Sequence, residues 1–120
     1  MNELNYASLE ASKKLVDNGI VLDTECYWCR LHDWDKYELK SADYASFCDD
    51  SYPAPCFTEV WRELPEKDRD GKRKTMMTVE GLTIVGYTTG RSGFDQNCFS
   101  AKNPTDALIK LLIWVRKEKP

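Results

Sequence analysis

At 120 residues, 42% of them apolar and 31% charged, the chain is too hydrophobic for global disorder and long enough to bury a core without a metal or a disulfide. Its net charge of −3 argues against a general nucleic-acid binder, which concentrates Lys and Arg on one face. No apolar run reaches the roughly 18 residues that span a bilayer, and MNELNYASLE has no basic region followed by an apolar core. No membrane and a cytoplasmic location are therefore expected, with the five cysteines present as reduced thiols.

In chain order, a first helix is expected from about Asn5 to Asp17, with Leu9, Ser12, Leu15 and Val16 inward and Lys13 and Lys14 in water. Asn18-Gly19 stops it, and Ile20 supplies the apolar contact that follows such a cap. Glu25 to Leu31, rich in aromatic and thiol side chains, predicts a strand, and Tyr37 to Lys40 its hairpin partner. Ser41 to Ser51 matches neither period. After Pro53-Ala54-Pro55, a short helix runs from about Cys56 to Leu64, with Phe57, Val60, Trp61 and Leu64 on one stripe and Pro65 as its stop. Glu66 to Lys74 is charged throughout and predicts a surface loop.

Thr75 to Thr88 predicts a hairpin. With Glu80-Gly81 as the turn, Val79 pairs with Leu82 and Met77 with Ile84. Those four residues form one apolar face, expected to meet the last helix. Gly90 to Asn97 is expected as a loop, and Cys98-Phe99-Ser100 as a short strand. Asn103 to Lys117 predicts the longest helix, capped by Asn103, with Pro104 at its first position and Asp106 in its first turn. Leu108, Leu111, Leu112 and Val115 form its stripe. Ile109, Ile113 and Trp114 widen the apolar face and require cover from another helix or a second copy. The elements add up to a single α+β domain with an antiparallel sheet of four or five strands and the first and last helices packed on one face.

The chemistry-bearing residues are sparse. Cys26 and Cys29 form a C-x-x-C that, with His32 and Cys48 or Cys56, has the residue types of a zinc or redox site. On a strand, residues three apart point to opposite faces, so buried thiols are the favoured reading and no metal or other cofactor is expected. His32, flanked by Asp33 and Asp35, reads as a solvated turn residue rather than a catalytic base. Lys72-Arg73-Lys74, with Lys67 and Arg69, would contact phosphates but is diluted by Glu66, Asp68 and Asp70. Gly90-Arg91-Ser92-Gly93 has the glycines to wrap a phosphate with backbone N–H groups, but without a strand-loop-helix context a flexible loop is the favoured reading. The aromatics weigh more. Trp34 lies in a polar turn, and Tyr44, Phe47 and Tyr52 flank Asp49-Asp50, a pattern that suits an anchor for a protein partner.

Pro53-Ala54-Pro55 leading into Glu59-Val60-Trp61-Arg62-Glu63-Leu64-Pro65, and Asn103-Pro104-Thr105-Asp106-Ala107-Leu108 leading to Trp114, resemble a group of short uncharacterised proteins of prophages and mobile elements in gut bacteria. The strand-strand-loop-helix ending is also similar to small antitoxin-like domains in topology, which does not imply function. The resemblance implies an accessory protein working by protein–protein contact or as a homo-oligomer. It brings no catalytic residue or cofactor, so an enzyme is not the favoured reading. A metal- or thiol-dependent protein using Cys26, Cys29 and His32, and a nucleic-acid-associated regulator using Lys72 to Lys74, are the alternatives.

Overall fold

The computed structural model describes residues 5–68, 70–88 and 98–118. Arg69, the Gly90 to Asn97 loop with its glycine pair, and Lys119 lie outside the described residues.

The chain is α+β. The first helix, α1, spans Leu9–Asp17, four residues shorter at its start than expected. Ser8 sets that start: its Oγ accepts the Ala11 amide at 3.1 Å, satisfying one of the donors a helix leaves open. Ser12 and Leu15 face the core as expected, joined by Ala11, whereas Val16, also expected inward, is 42% exposed. Gly19 takes φ +70°, and the Ile20 amide donates back to the Leu15 carbonyl at 2.9 Å.

β1 (Cys26–Arg30), β2 (Glu38–Ser41) and β3 (Asp50–Pro53) form one antiparallel sheet in the order β2-β1-β3. Trp28 stands opposite Leu39 on one side and Tyr52 on the other. The stretch that matched no period holds α2 (Ala42–Ala45) and β3. β3 reads DSYP and pairs at an edge, where a polar strand needs no apolar alternation and Pro53 forfeits no ladder donor.

α3 (Phe57–Glu63) follows, with Val60 and Leu64 buried and the Cys56 amide donating to Glu59 Oε1 at 2.8 Å. β4 (Arg73–Val79), β5 (Leu82–Thr88) and β6 (Phe99–Ala101) make a second antiparallel sheet in the order β4-β5-β6. The expected single sheet of four or five strands is thus two sheets of three among the described residues. Each is built from strands close in sequence. Pro53 and Pro55, which have no N–H, stand where the first sheet would have to continue.

The β4–β5 hairpin has the expected register, Val79 opposite Leu82 and Met77 opposite Ile84. Glu80 and Gly81 both take positive φ, at 50° and 81°, the backbone that matches strand twist in a two-residue turn. The buried face, however, is the other one. Thr83, Val85 and Tyr87 are buried, while Met77, Val79 and Leu82 are 46%, 42% and 39% exposed. Both faces carry apolar side chains, so alternation alone did not choose between them. Tyr87 and the Phe99 that pairs beside Val85 bring more area to the chosen face, and the Tyr87 hydroxyl donates to the Pro65 carbonyl at 2.7 Å.

α4 (Pro104–Glu118) packs against β5 and β6, and also against α1 and α3. Ala107, Leu108, Ile109, Leu111 and Leu112 are fully buried, and Val115 is partly so. At about 1.5–3 kcal/mol per buried aliphatic side chain, this helix is the largest contributor to the core. Ile109 and Ile113 face α1 across a shallow groove, and Trp114 meets Phe99 with ring centroids 6.3 Å apart, so other parts of the same chain cover the wide apolar face.

Two tests follow. Asp106 Oδ1 accepts the Ser8 amide at 2.8 Å, joining the starts of α4 and α1. Asp106→Ala is expected to cost about 1–2 kcal/mol in urea unfolding, the value of one charge-assisted bond, with Asp106→Asn retaining most of it. Burial pushes the Tyr87 hydroxyl up to about 12, so the folded chain holds that proton where the unfolded chain loses it near pH ~10. Its contribution is complete below about pH 10 and lost as the pH climbs towards about 12. The urea midpoint should fall over that range, and less steeply in Tyr87→Phe; equal slopes would contradict the assignment.

Candidate functional site

The turn between β1 and β2 is held at its base by Arg30. Its Nε and Nη2 donate to Asp50 Oδ2 at 2.9 and 2.7 Å, its Nη1 donates to the Asp33 carbonyl at 3.0 Å, and its guanidinium lies 4.7 Å from the Tyr37 ring centroid. The bond to Asp50 raises the pKa of Arg30 further above its ordinary value. Within the turn, the His32 amide donates to Asp35 Oδ2 at 3.1 Å and the Asp35 amide to the His32 carbonyl at 2.9 Å. An otherwise polar loop is thereby tied at four points, and it presents Trp34 stacked on His32, centroids 4.7 Å apart and planes 18° apart. Trp34 is 81% exposed.

The segment from α2 to β3 runs over the face of β1 that bears Tyr27 and Cys29. Ala45 is buried against it, Tyr44 lies under the Lys40 ammonium at 5.2 Å, and Phe47 projects outward, 78% exposed. Asp49 closes on the turn, its Oδ2 4.0 Å from His32 Nδ1. Trp34, Tyr44 and Phe47 therefore stand exposed on or beside one small sheet, as expected. Tyr52 does not join them: it is half-buried on the opposite face, 5.8 Å from the Tyr37 ring and 5.6 Å from the Lys13 ammonium. Lys13, expected in water, is held between those two rings.

The C-x-x-C splits as strand geometry requires. Cys26 packs with Leu39, Ala54, Tyr6 and Trp28. Its contact with Tyr6, together with burial, pushes the tyrosine up to about 12. Cys29 points to the other face, where burial and the hydrogen-bonded Cys48 thiol push it up to about 11. His32 has Trp34 and Asp49 as neighbours. No group of three or more His, Cys, Asp or Glu side chains among the described residues is arranged to hold a metal ion.

Among the described residues, the basic run Lys72 to Lys74 does not lie on one exposed face. Arg73 is exposed, but the Lys74 side chain is only 3% exposed and turns inward on β4 beside Tyr87. Its Nζ donates to the Trp61 and Leu64 carbonyls at 2.8 and 3.1 Å, lies 4.5 Å from the Trp61 centroid, and pairs with Glu66 at 3.3 Å. A lysine read as part of a solvated loop is thus the cap of α3, supplying donors to carbonyls that a helix end leaves open. The missed signal was that Lys74 continues the alternation of β4.

No protein-family model matches the chain, nor does any curated protein or solved structure.

The Arg30 clamp makes a specific prediction. Arg30→Ala should leave the second sheet intact and speed amide hydrogen exchange in residues 31–37 and 49–50. Uniform acceleration across the chain, or none in the turn, would show that Arg30 does not hold it.

Proposed function

We propose that the protein is a non-enzymatic binding module that docks a protein partner on the aromatic face of its first sheet. The observation that carries this reading is the exposure of Trp34 and Phe47, at 81% and 78%, on a tied turn and a packed crossover. Large aromatics on ordered backbone lose little side-chain entropy on binding, and Trp and Tyr are enriched among residues that dominate interfaces. The chemistry of the partner follows from charge. Residues 26–53 hold six acidic and three basic side chains, the whole net charge of −3 of the chain. A partner whose contact surface has an apolar centre and a Lys- or Arg-bearing rim complements that field.

Other uses have less support. The groove between α1 and α4 holds about 160 Å³, against the roughly 300 Å³ at which small-molecule sites begin. The inward turn of Lys74 takes one of the three cations of the Lys72 to Lys74 run, which a nucleic-acid reading needs, out of contact with solvent. No helix among the described residues is long and apolar enough to cross a membrane. The biological setting we assign, an accessory protein of a prophage or mobile element, rests on the resemblance of the Pro53 to Pro65 and Asn103 to Trp114 stretches alone.

The test is affinity capture from lysate of the source cells by wild-type protein and by Trp34→Ala/Phe47→Ala, with light scattering on each. The double variant should melt within about 2 °C of wild type and lose its partner more than tenfold, the loss of one or more anchor residues. A partner retained at equal strength would overturn the reading. A concentration-dependent dimer lost in the double variant would assign the face to a second copy instead.

A further inference from the structure

The second sheet ends in two edges, β4 and β6, and the chain treats them differently. β4 is seven residues long, and only its start is covered. There Lys67 lies opposite Arg73 in a short antiparallel bridge, with the Lys74 amide donating to the Glu66 carbonyl at 3.0 Å and the Asp68 amide to the Lys72 carbonyl at 2.9 Å. Those two bonds fix the direction of the backbone. Lys72 and Lys74 turn polar groups away from β5, so by strand alternation Met76 and Thr78 do the same, while Thr75, Met77 and Val79 bond β5. From Thr75 to Val79 the edge carries no charge and no proline, the usual guards against strand addition. Met76, Met77 and Val79 are all exposed. β6 is only three residues long. The same alternation turns Ser100 outward there, and its carbonyl already accepts Lys110 Nζ at 2.9 Å.

We propose that β4 pairs with β4 of a second copy of this chain, antiparallel about a two-fold axis at Met77, to give a closed dimer with one continuous sheet. The occupant follows from the register. The uncovered stretch runs from Thr75 to Val79, and Met77 is its centre. With Met77 opposite Met77 of the second copy, Met76 of each chain lies opposite Thr78 of the other. Each of those pairs exchanges two backbone hydrogen bonds. The outward amides and carbonyls of Met76 and Thr78 are then satisfied on both chains. The two Met77 side chains meet at the axis, in the kind of pair where side chains approach most closely.

Charge and shape agree with this occupant. Antiparallel pairing brings the exposed Arg73 at the start of one β4 to the exposed Glu80 at the end of the other. The seam stops where the Glu66 to Asp68 segment lies beside β4, and at that point the Glu80-Gly81 turn carries the second copy away towards its own β5. Both copies use the same edge, and the edge left outside is the short, lysine-capped β6, so assembly closes at two. A few backbone bonds and methionine contacts make this dimer reversible. The seam lies on the second sheet, away from Trp34 and Phe47, and does not rest on the partner-binding reading.

The experiment is sedimentation velocity on the full-length protein over a concentration series, with circular dichroism to check folding. Wild type is expected to pass from the mass of one chain to that of two and no further. Met77→Lys and Met77→Glu each set like charges opposite one another across the axis, and each should weaken the dimer by about tenfold or more. An equimolar mixture of the two variants should dimerise, because the charges at the axis are then opposite. Thr78→Pro removes an outward N–H that β5 does not use, so it should abolish the dimer and leave the circular dichroism spectrum native. Trp34→Ala/Phe47→Ala should dimerise as wild type does. A wild type that stays monomeric throughout, growth past two copies, Met77→Lys dimerising at wild-type strength, or a mixture no tighter than either variant alone would each overturn the proposal. So would a dimer lost with Trp34 and Phe47.

Discussion

The structure depends on a four-residue strip, Asn5 to Ser8, that joins its two halves through backbone hydrogen bonds. Towards the first sheet, the Ala7 amide donates to the Pro55 carbonyl at 2.8 Å and the Ala7 carbonyl accepts Trp28 Nε1 at 2.7 Å. Towards α4, the Asn5 carbonyl accepts Thr105 Oγ1 at 3.2 Å, the Tyr6 carbonyl accepts Asn103 Nδ2 at 2.9 Å, and the Ser8 amide donates to Asp106. Ala7 is completely buried. A buried backbone polar group without a partner costs about as much as a lost hydrogen bond, so each of these groups must find one. Ala7 finds its partners towards the first sheet and Asn5, Tyr6 and Ser8 find theirs at the start of α4, so the strip cannot leave either half without orphaning donors and acceptors.

That constraint explains a double use of side chains at the start of α4. Asn103 caps the helix, its Oδ1 accepting the Thr105 and Asp106 amides at 2.9 and 3.3 Å, while its Nδ2 holds Tyr6. Asp106 sits where an acid suits the helix dipole, and also serves as the acceptor for the first amide at the α1 cap. The sequence pattern identifies both residues as helix-start chemistry, which is local. It contains nothing about residues nearly a hundred positions earlier. The same division separates what could be read from what could not. α3, α4, the glycine cap after α1 and the Glu80-Gly81 turn depend on neighbours within a few positions, and they stand where periodicity and cap residues put them. The inner face of β4–β5, the role of Lys74 and the division into two sheets depend on which distant surface arrives. Two candidate faces of similar apolar character leave that choice to tertiary packing.

The candidate site follows the same rule. Trp34 was legible because a large aromatic in a run of Asp, His and Lys has no local means of burial, and Phe47 because it stands among small and acidic residues. Tyr52 looked equivalent, but strand alternation turns it to the opposite face, where Tyr37 and Lys13 take it up. Arg30 and Asp50 are ordinary charged residues until β1 and β3 pair and set them opposite each other. Cys29 drew notice for its spacing from Cys26, yet the strand that links them also separates them, and its sulfur meets the Tyr27 and Glu38 carbonyls instead.

The two halves are unequally built, and that inequality bears on where binding and chemistry can reside. The second sheet shares with α1, α3 and α4 a continuous core of aliphatic side chains. On one face of the first sheet, Cys26, Leu39 and Ala54 form a small buried cluster with Tyr6 and Trp28 against it, and Cys29 and Ala45 are buried on the other. Few buried apolar contacts mean a lower free energy of local opening. The first sheet is held instead by polar ties: the strip at Ala7, the Arg30–Asp50 pair, and the packing of α2 over Cys29. Such ties fix geometry while leaving the sheet thin, so its aromatic side chains reach solvent rather than a core. A thin sheet, fixed by a few directional bonds to a well-packed half, presents Trp34 and Phe47 with little freedom to collapse inward.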